Sequence, residues 1–175
     1  MQSVKVVVTG PFNAGKTTFI KAVSEITVLS TERQVSDVSG EGGGETTVAM
    51  DFGRITVSDE VVLYLFGTPG QARFSFMWET LSEGMLGFVL LVDATAPDTL
   101  ADAKDMIAFF TEMSEVPFVV AANKVAADDT ETIRRVRSEL ELADAVPLLP
   151  VDAREKDSVK AVLLGLLYEI VESMG

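Results

Sequence analysis

Short, unbroken apolar runs alternate along this chain with stretches in which apolar residues recur every three or four positions. Val4-Lys5-Val6-Val7-Val8-Thr9 is a β-branched run that reads as a buried strand. Phe88-Val89-Leu90-Leu91-Val92 and Pro117-Phe118-Val119-Val120-Ala121-Ala122 suit central strands covered on both faces. Residues 47–57 and 61–66 flank the turn-like Ser58-Asp59-Glu60 and predict an antiparallel hairpin. Residues 146–151 carry Pro147 and Pro150, which fit an edge strand. Helical spacing appears at 16–25, at 73–81 and at 99–113, where Ala103, Met106, Ile107 and Phe110 share a face. Asp128 three residues before Glu131 marks another helix start, running to about Leu140. From Ser158 onward, Val159, Val162, Leu163, Leu166, Leu167, Ile170 and Val171 trace one stripe, read as core packing. The alternation predicts an α/β fold: a mostly parallel six-stranded sheet, one strand antiparallel, helices on both faces. Ligand-holding loops belong at the strand C-termini. No internal repeat or second domain is visible, so 1–175 is expected to form a single domain.

One segment breaks the pattern. Residues 30–46 are polar, charged and rich in glycine (Gly40, Gly42, Gly43, Gly44), with no apolar period. They read as a long mobile loop, a length that inside a domain is usually functional or disordered.

Composition narrows the chemistry. With 14 Lys+Arg against 27 Asp+Glu the net charge is −13, which argues against nucleic-acid binding and against docking on an anionic membrane. Cysteine and histidine are both absent, so thiol catalysis, disulfides, Ser-His pairs and His-metal sites are excluded. No apolar run approaches the ~20 residues of a membrane span. Neither end carries a signal peptide or lipidation box, so a cytoplasmic protein without a membrane anchor is expected.

What remains points to phosphate. Gly10-Pro11-Phe12-Asn13-Ala14-Gly15-Lys16-Thr17 fits G-x-x-x-x-G-K-[ST] and joins the first strand to the first helix. A helix start offers free N–H groups and the positive end of the helix dipole to an anion. The two glycines let the backbone curl around phosphate oxygens without Cβ clashes. Asn13, Ala14, Gly15, Lys16, Thr17 and Thr18 form the candidate cradle. Lys16 would reach the β- and γ-phosphates, and the Thr17 hydroxyl would ligate Mg²⁺. A chance glycine-rich turn is the bland alternative; strand, loop, Lys-Thr and helix in the required order argue against it.

Four further boxes follow: Thr46-Thr47-Val48-Ala49-Met50-Asp51-Phe52-Gly53, Gly67-Thr68-Pro69-Gly70-Gln71, Asn123-Lys124-Val125-Ala126 and Asp152-Ala153-Arg154. Through them the chain resembles the Ras-like small GTPases over its whole length, and within them a bacterial branch including MglA and the conservon-encoded GTPases of actinobacteria. The resemblance implies that Thr47 completes the Mg²⁺ shell when a γ-phosphate is present, against an ordinary β-propensity threonine. It implies that the Gly70 N–H meets the γ-phosphate and that Gln71 orients the attacking water, making Gln71, Lys16 and Gly70 the catalytic set. The acid expected before Thr68 is Gly67 here, and Asp51 on the adjoining strand is its candidate replacement. A solvent-facing strand residue is the other reading of Asp51. Asn123 would brace the phosphate loop, and the Lys124 stem would cover the base. Between Asp152 and Arg154, the Ala153 N–H would contact a guanine carbonyl. Ala126 stands where the family's guanine-reading aspartate belongs, so weak discrimination between guanine and adenine is expected. Phe12 and Asn13 replace glycines and crowd the γ-phosphate side.

The implied function is a GTP-binding molecular switch with slow GTP hydrolysis, using GTP/GDP and Mg²⁺ and acting on a regulatory or effector protein of the roadblock type. The alternative is a degenerate nucleotide-binding scaffold without significant turnover. A P-loop kinase of small molecules is disfavoured by the hairpin order and the missing Arg-rich lid.

Overall fold

β1 (Gln2–Thr9) lies in the middle of the sheet, as its unbroken valine run requires: Val6 and Val8 are buried in one core and Val7 in the other. In this computed structural model, residues 1–36, 45–70 and 74–175 are described, the side chains of 29–36 and 45–49 excepted. The elements after β1 are α1 (Lys16–Val23), β2 (Leu29–Ser36), β3 (Glu45–Thr56), β4 (Val61–Gly67), α2 (Phe76–Ser82), β5 (Gly87–Asp93), α3 (Leu100–Met113), β6 (Phe118–Asn123), α4 (Thr130–Glu139), β7 (Leu148–Val151) and α5 (Lys156–Met174). The strand order is β2-β3-β4-β1-β5-β6-β7. β1 pairs in parallel with β4 and β5, and β5, β6 and β7 continue in parallel. β3 alone runs against its neighbours.

The six expected strands are all present, and a seventh, β2, adds to the edge. The sequence reading placed its residues in a loop. Leu29-Ser30-Thr31-Glu32-Arg33-Gln34-Val35-Ser36 lacks the alternation of a half-buried strand. An edge strand needs only one hydrogen-bonded neighbour, here β3, and edges tolerate polar and charged composition. The remainder of the expected loop, 37–44 with its four glycines, lies outside the described residues.

Helices cover both faces. Phe19, Ile20 and Val23 of α1, with Val159, Val162, Leu163, Leu166 and Ile170 of α5, pack on one. Trp78 of α2, Leu100, Ala103, Met106 and Phe110 of α3, and Val136 of α4 pack on the other. β5 alternates between them, Phe88, Leu90 and Val92 facing one core and Val89 and Leu91 the other. Each such burial contributes about 1.5–3 kcal/mol. The stripe read on α5 holds with one exception: Val171 lies on the outer surface, 65% exposed. α4 is capped by Asp129 rather than Asp128; its carboxylate accepts from the Thr132 N–H and hydroxyl. No helix among the described residues is long and apolar enough to cross a membrane.

The parallel strands β1, β4, β5, β6 and β7 bring their C-terminal ends, and the loops that follow, to one edge of the sheet.

Candidate functional site

The loop from β1 to α1 is turned by left-handed residues, Asn13 at φ 67° and Gly15 at φ 108°. Gly15 caps α1, and a Cβ there would stand 2.7 Å from the Asn123 amide nitrogen, so the loop and Asn123 meet only through a glycine. The first turn of α1 holds no acidic residue of its own, and its positive dipole end opens on the cavity. Lys16 folds back across the loop. Its ammonium donates to the Gly10 carbonyl at 2.6 Å and the Pro11 carbonyl at 2.9 Å. Burial lowers the Lys16 pKa to about 8, with Asp51 acting in the opposite direction. The Thr17 hydroxyl donates to Asp51 Oδ2 at 2.5 Å.

Asp51 is placed by strand register. It stands directly opposite Gly67, where β3 pairs with the end of β4. A Cβ on Gly67 would lie 3.2 Å from the Asp51 Cβ and 3.0 Å from Ile20 Cδ1. The space beside Thr17 therefore takes its acid from β3, and a side chain on β4 would compete for it. Beyond Gly67 the chain passes over Lys16. A Cβ on Gly70 would fall 2.6 Å from the Phe12 nitrogen and 2.7 Å from Lys16 Nζ. The crossing is pinned from both sides, by the Thr68–Thr9 hydroxyl bond at 2.8 Å and by the Trp78 indole N–H donating to the Pro69 carbonyl at 2.8 Å.

At the far end Asn123, on the last position of β6, ties three loops together. Its amide donates to the Ala14 carbonyl, and its Oδ1 accepts from the N–H groups of Lys124 and Ala153. Lys124 adopts φ 64°, a conformation costly for a residue with a Cβ and held by that bond. Its ammonium pairs with Asp93 Oδ2 at 2.8 Å. Burial pushes the Asp93 carboxyl up, but hydrogen bonds from Lys124 and Thr95 outweigh it and hold the group below its ordinary value. Asp93 was missed in the sequence; an acid closing an apolar central strand at its C-terminal end was the available signal. Arg154 forks onto Asp152 through Nε and a terminal nitrogen, so those two side chains satisfy each other.

The Ala153 N–H, expected to contact a guanine carbonyl, donates instead to Asn123 Oδ1 at 3.1 Å. Neither neighbouring acid replaces the carboxylate missing at Ala126. Asp129 is committed to capping α4, and Asp128 is exposed and does not line the cavity.

The loop from β1 to α1, Asp51, residues 68–70 and the loops after β6 and β7 line a cavity of about 960 Å³. Among the candidate residues described with their side chains, all line it except Ala14, which is buried behind and contributes its carbonyl to Asn123. The side chain of Thr47 and the whole of Gln71 lie outside the described residues; the Thr47 backbone sits in β3 opposite Gln34. Among the described residues, no group of three or more acidic, His or Cys side chains gathers as a metal cage. For a hard cation the cavity offers the Thr17 hydroxyl and the Asp51 carboxylate, two oxygen donors that leave positions for phosphate and water oxygens.

A family described as a conserved hypothetical ATP binding protein matches residues 28–173. The uncharacterized protein MJ1339 of Methanocaldococcus jannaschii is 32% identical over 129 residues, 74% of this chain and 75% of that protein. These findings correct the resemblance to Ras-like small GTPases, MglA and the conservon-encoded proteins, and the roadblock-type partner it implied falls with it. That likeness leaned on phosphate-binding boxes, which can serve any nucleoside triphosphate. At the base end, Ala126 and the engaged Ala153 N–H lack the guanine-reading groups of those families.

Proposed function

Since the chain belongs to the family described as a conserved hypothetical ATP binding protein, we propose that its single P-loop domain binds nucleoside triphosphates with Mg²⁺, adenine and guanine alike, and hydrolyses them slowly. One observation carries the reading. A buried lysine ammonium, resting on two backbone carbonyls, faces a cavity at a helix N-terminus. Phosphate oxygens would take the place of those carbonyls. In the bound state Lys16 spans the β- and γ-phosphates, and residues 13–18 surround them with N–H groups. Thr17 and Asp51 would hold the cation, which would supply positive charge to offset the negative charge of the phosphates. Water attacks the γ-phosphorus in line with the β–γ bridging oxygen and that P–O bond breaks, giving nucleoside diphosphate and inorganic phosphate, with the proton of the attacking water released to the phosphate product or to solvent. The Gly70 N–H and Gln71 are assigned to positioning the γ-phosphate and the water. Lys124 and Asn123 shape the base end.

Titrating the purified chain with fluorescent ATP and GTP analogues, then following phosphate release over hours, tests both halves. Binding of neither nucleotide overturns the reading; binding without phosphate release removes the hydrolysis and leaves a nucleotide-binding scaffold.

Asp51→Asn is expected to raise the Mg²⁺ concentration needed for half-maximal nucleotide binding by about tenfold or more, from the lost charge on an oxygen donor. Folding stability should barely change, because an amide oxygen still accepts from Thr17. Identical Mg²⁺ titrations for both proteins would remove Asp51 from the cation site.

The lowered pKa of Lys16 has a sign that binding reads. The free group loses its proton as pH rises through about 8, while bound phosphates would hold the proton to higher pH. Binding above pH 8 therefore takes up a proton. Affinity should be level below about pH 7 and fall above pH 8, approaching tenfold per unit. A flat profile from pH 7 to pH 9 would show that the ammonium does not meet phosphate.

A further inference from the structure

We propose that the outer face of α5 is a self-association surface, on which a second copy of this chain lays its own α5 in antiparallel orientation. The inner face of α5 is spent on the core. The outer face carries Leu164, Tyr168, Val171 and Met174, exposed by 58%, 64%, 65% and 72%. The other large apolar side chains exposed among the described residues, Met1, Phe12, Val57 and Phe76, are scattered over separate elements. Single exposed apolar residues are ordinary, whereas a contiguous stripe marks an interaction surface.

Two features select a second copy as the occupant. The first is spacing. Ala161, Leu164, Tyr168 and Val171, all exposed, follow one another at three, four and three residues, the period of a seam between two packed helices. Read backwards, three-four-three is the same sequence of steps. Two such helices related by a two-fold axis and running in opposite directions bring Leu164 against Tyr168 and small Ala161 against branched Val171. A two-fold contact requires a patch that is its own complement, and this one is.

The second feature is charge. In the first half of α5, Lys156 and Lys160 outnumber Asp157; in the second half the charged residues are Glu169 and Glu172. Antiparallel docking sets the basic half of each helix beside the acidic half of the other. Parallel docking sets Glu169 and Glu172 beside their own copies, in a chain that already carries a net charge of −13. One helix face is smaller than the ~800 Å² per partner of a standard stable interface, so the dimer is weak and concentration-dependent.

Analytical ultracentrifugation of the full chain, without nucleotide, is the test. It runs from about 10 μM to about 1 mM at about 0.15 M salt, where the Debye length of ~8 Å screens the net charge. The weight-average mass should climb from monomer towards dimer. Leu164→Glu and Tyr168→Glu should each hold it at monomer, with unchanged melting curves because both side chains stand on the surface. Orientation can be read by cross-linking, since the chain has no cysteine of its own. Under oxidation, Leu164→Cys mixed with Tyr168→Cys should give a mixed disulfide several-fold in excess of either homodimer. A monomer at every concentration, a dimer indifferent to both glutamates, or a predominance of homodisulfides each overturns the proposal.

Discussion

Lys16→Ala should lower the affinity for both ATP and GTP by at least about 100-fold, since hydrogen bonds to a charged group contribute ~1.5–3 kcal/mol each and Lys16 is assigned two phosphates. The melting temperature should change by only a few degrees. This second half follows from burial: the folded protein disfavours the Lys16 ammonium enough to bring its pKa to about 8, so deleting it removes a desolvation cost. The bonds lost, to the Gly10 and Pro11 carbonyls, are buried, so leaving those oxygens without a donor offsets part of that gain. Affinity should thus fall far more than stability, as expected where a group is held in place for binding at some expense to folding. Fluorescent-nucleotide titration beside a thermal melt makes the comparison. Unchanged affinity would discard the phosphate-loop reading, and a melting point lowered by many degrees would make Lys16 a structural residue.

The second large effect concerns the base. Native protein should prefer GTP over ATP by no more than about tenfold, the worth of one neutral hydrogen bond of ~0.5–1.5 kcal/mol. Even that bond has lost its expected donor, since the Ala153 N–H is occupied by Asn123. Ala126→Asp should raise the guanine preference by about 30-fold or more, from ~2 kcal/mol or more of new charge-assisted bonding. Guanine presents N1–H and an exocyclic amino group side by side, and a carboxylate accepts both. Adenine offers an unprotonated N1 on the same edge, which a carboxylate repels. Ala126 lines the cavity at its exposed mouth, so the longer side chain has room. Competition of ATP and GTP for one fluorescent nucleotide measures both proteins. A native preference above a thousandfold would mean that an acid does reach the base. Asp129 is the less able to do so, its carboxylate held below the ordinary range chiefly by the Thr132 hydroxyl in the α4 cap.

The parallel centre of the fold was legible in the sequence because it is written in runs such as Val6-Val7-Val8 and Phe88–Val92, which only a strand buried on both faces can use. β2 was not, because an edge strand takes its order from a neighbour's backbone rather than from its own side chains. In the candidate site, the turn from β1 into α1 could be placed directly, since its glycine spacing is dictated by local backbone geometry. Pairings across the sheet could not. Sequence alone suggests Asp51 but does not reveal that it faces Gly67, nor that Asp93 holds Lys124 from 31 residues away. The family likeness misled for a related reason: boxes that cradle phosphate are shared more widely than the residues that read a base.

The bond between Trp78 and the Pro69 carbonyl gives this protein an optical reporter of its own. Trp78 is the sole tryptophan in the chain, so its emission comes from one place. Its indole N–H donates to the segment that crosses Lys16, and its ring stacks 5.8 Å from Phe110 in the core, so the side chain joins that segment to the core. Anything that lifts residues 67–70 off the phosphate loop withdraws the indole's hydrogen-bond acceptor and shifts the emission maximum. The kinetics of nucleotide arrival and departure should therefore be visible in unlabelled protein, and Trp78→Phe should make them dark.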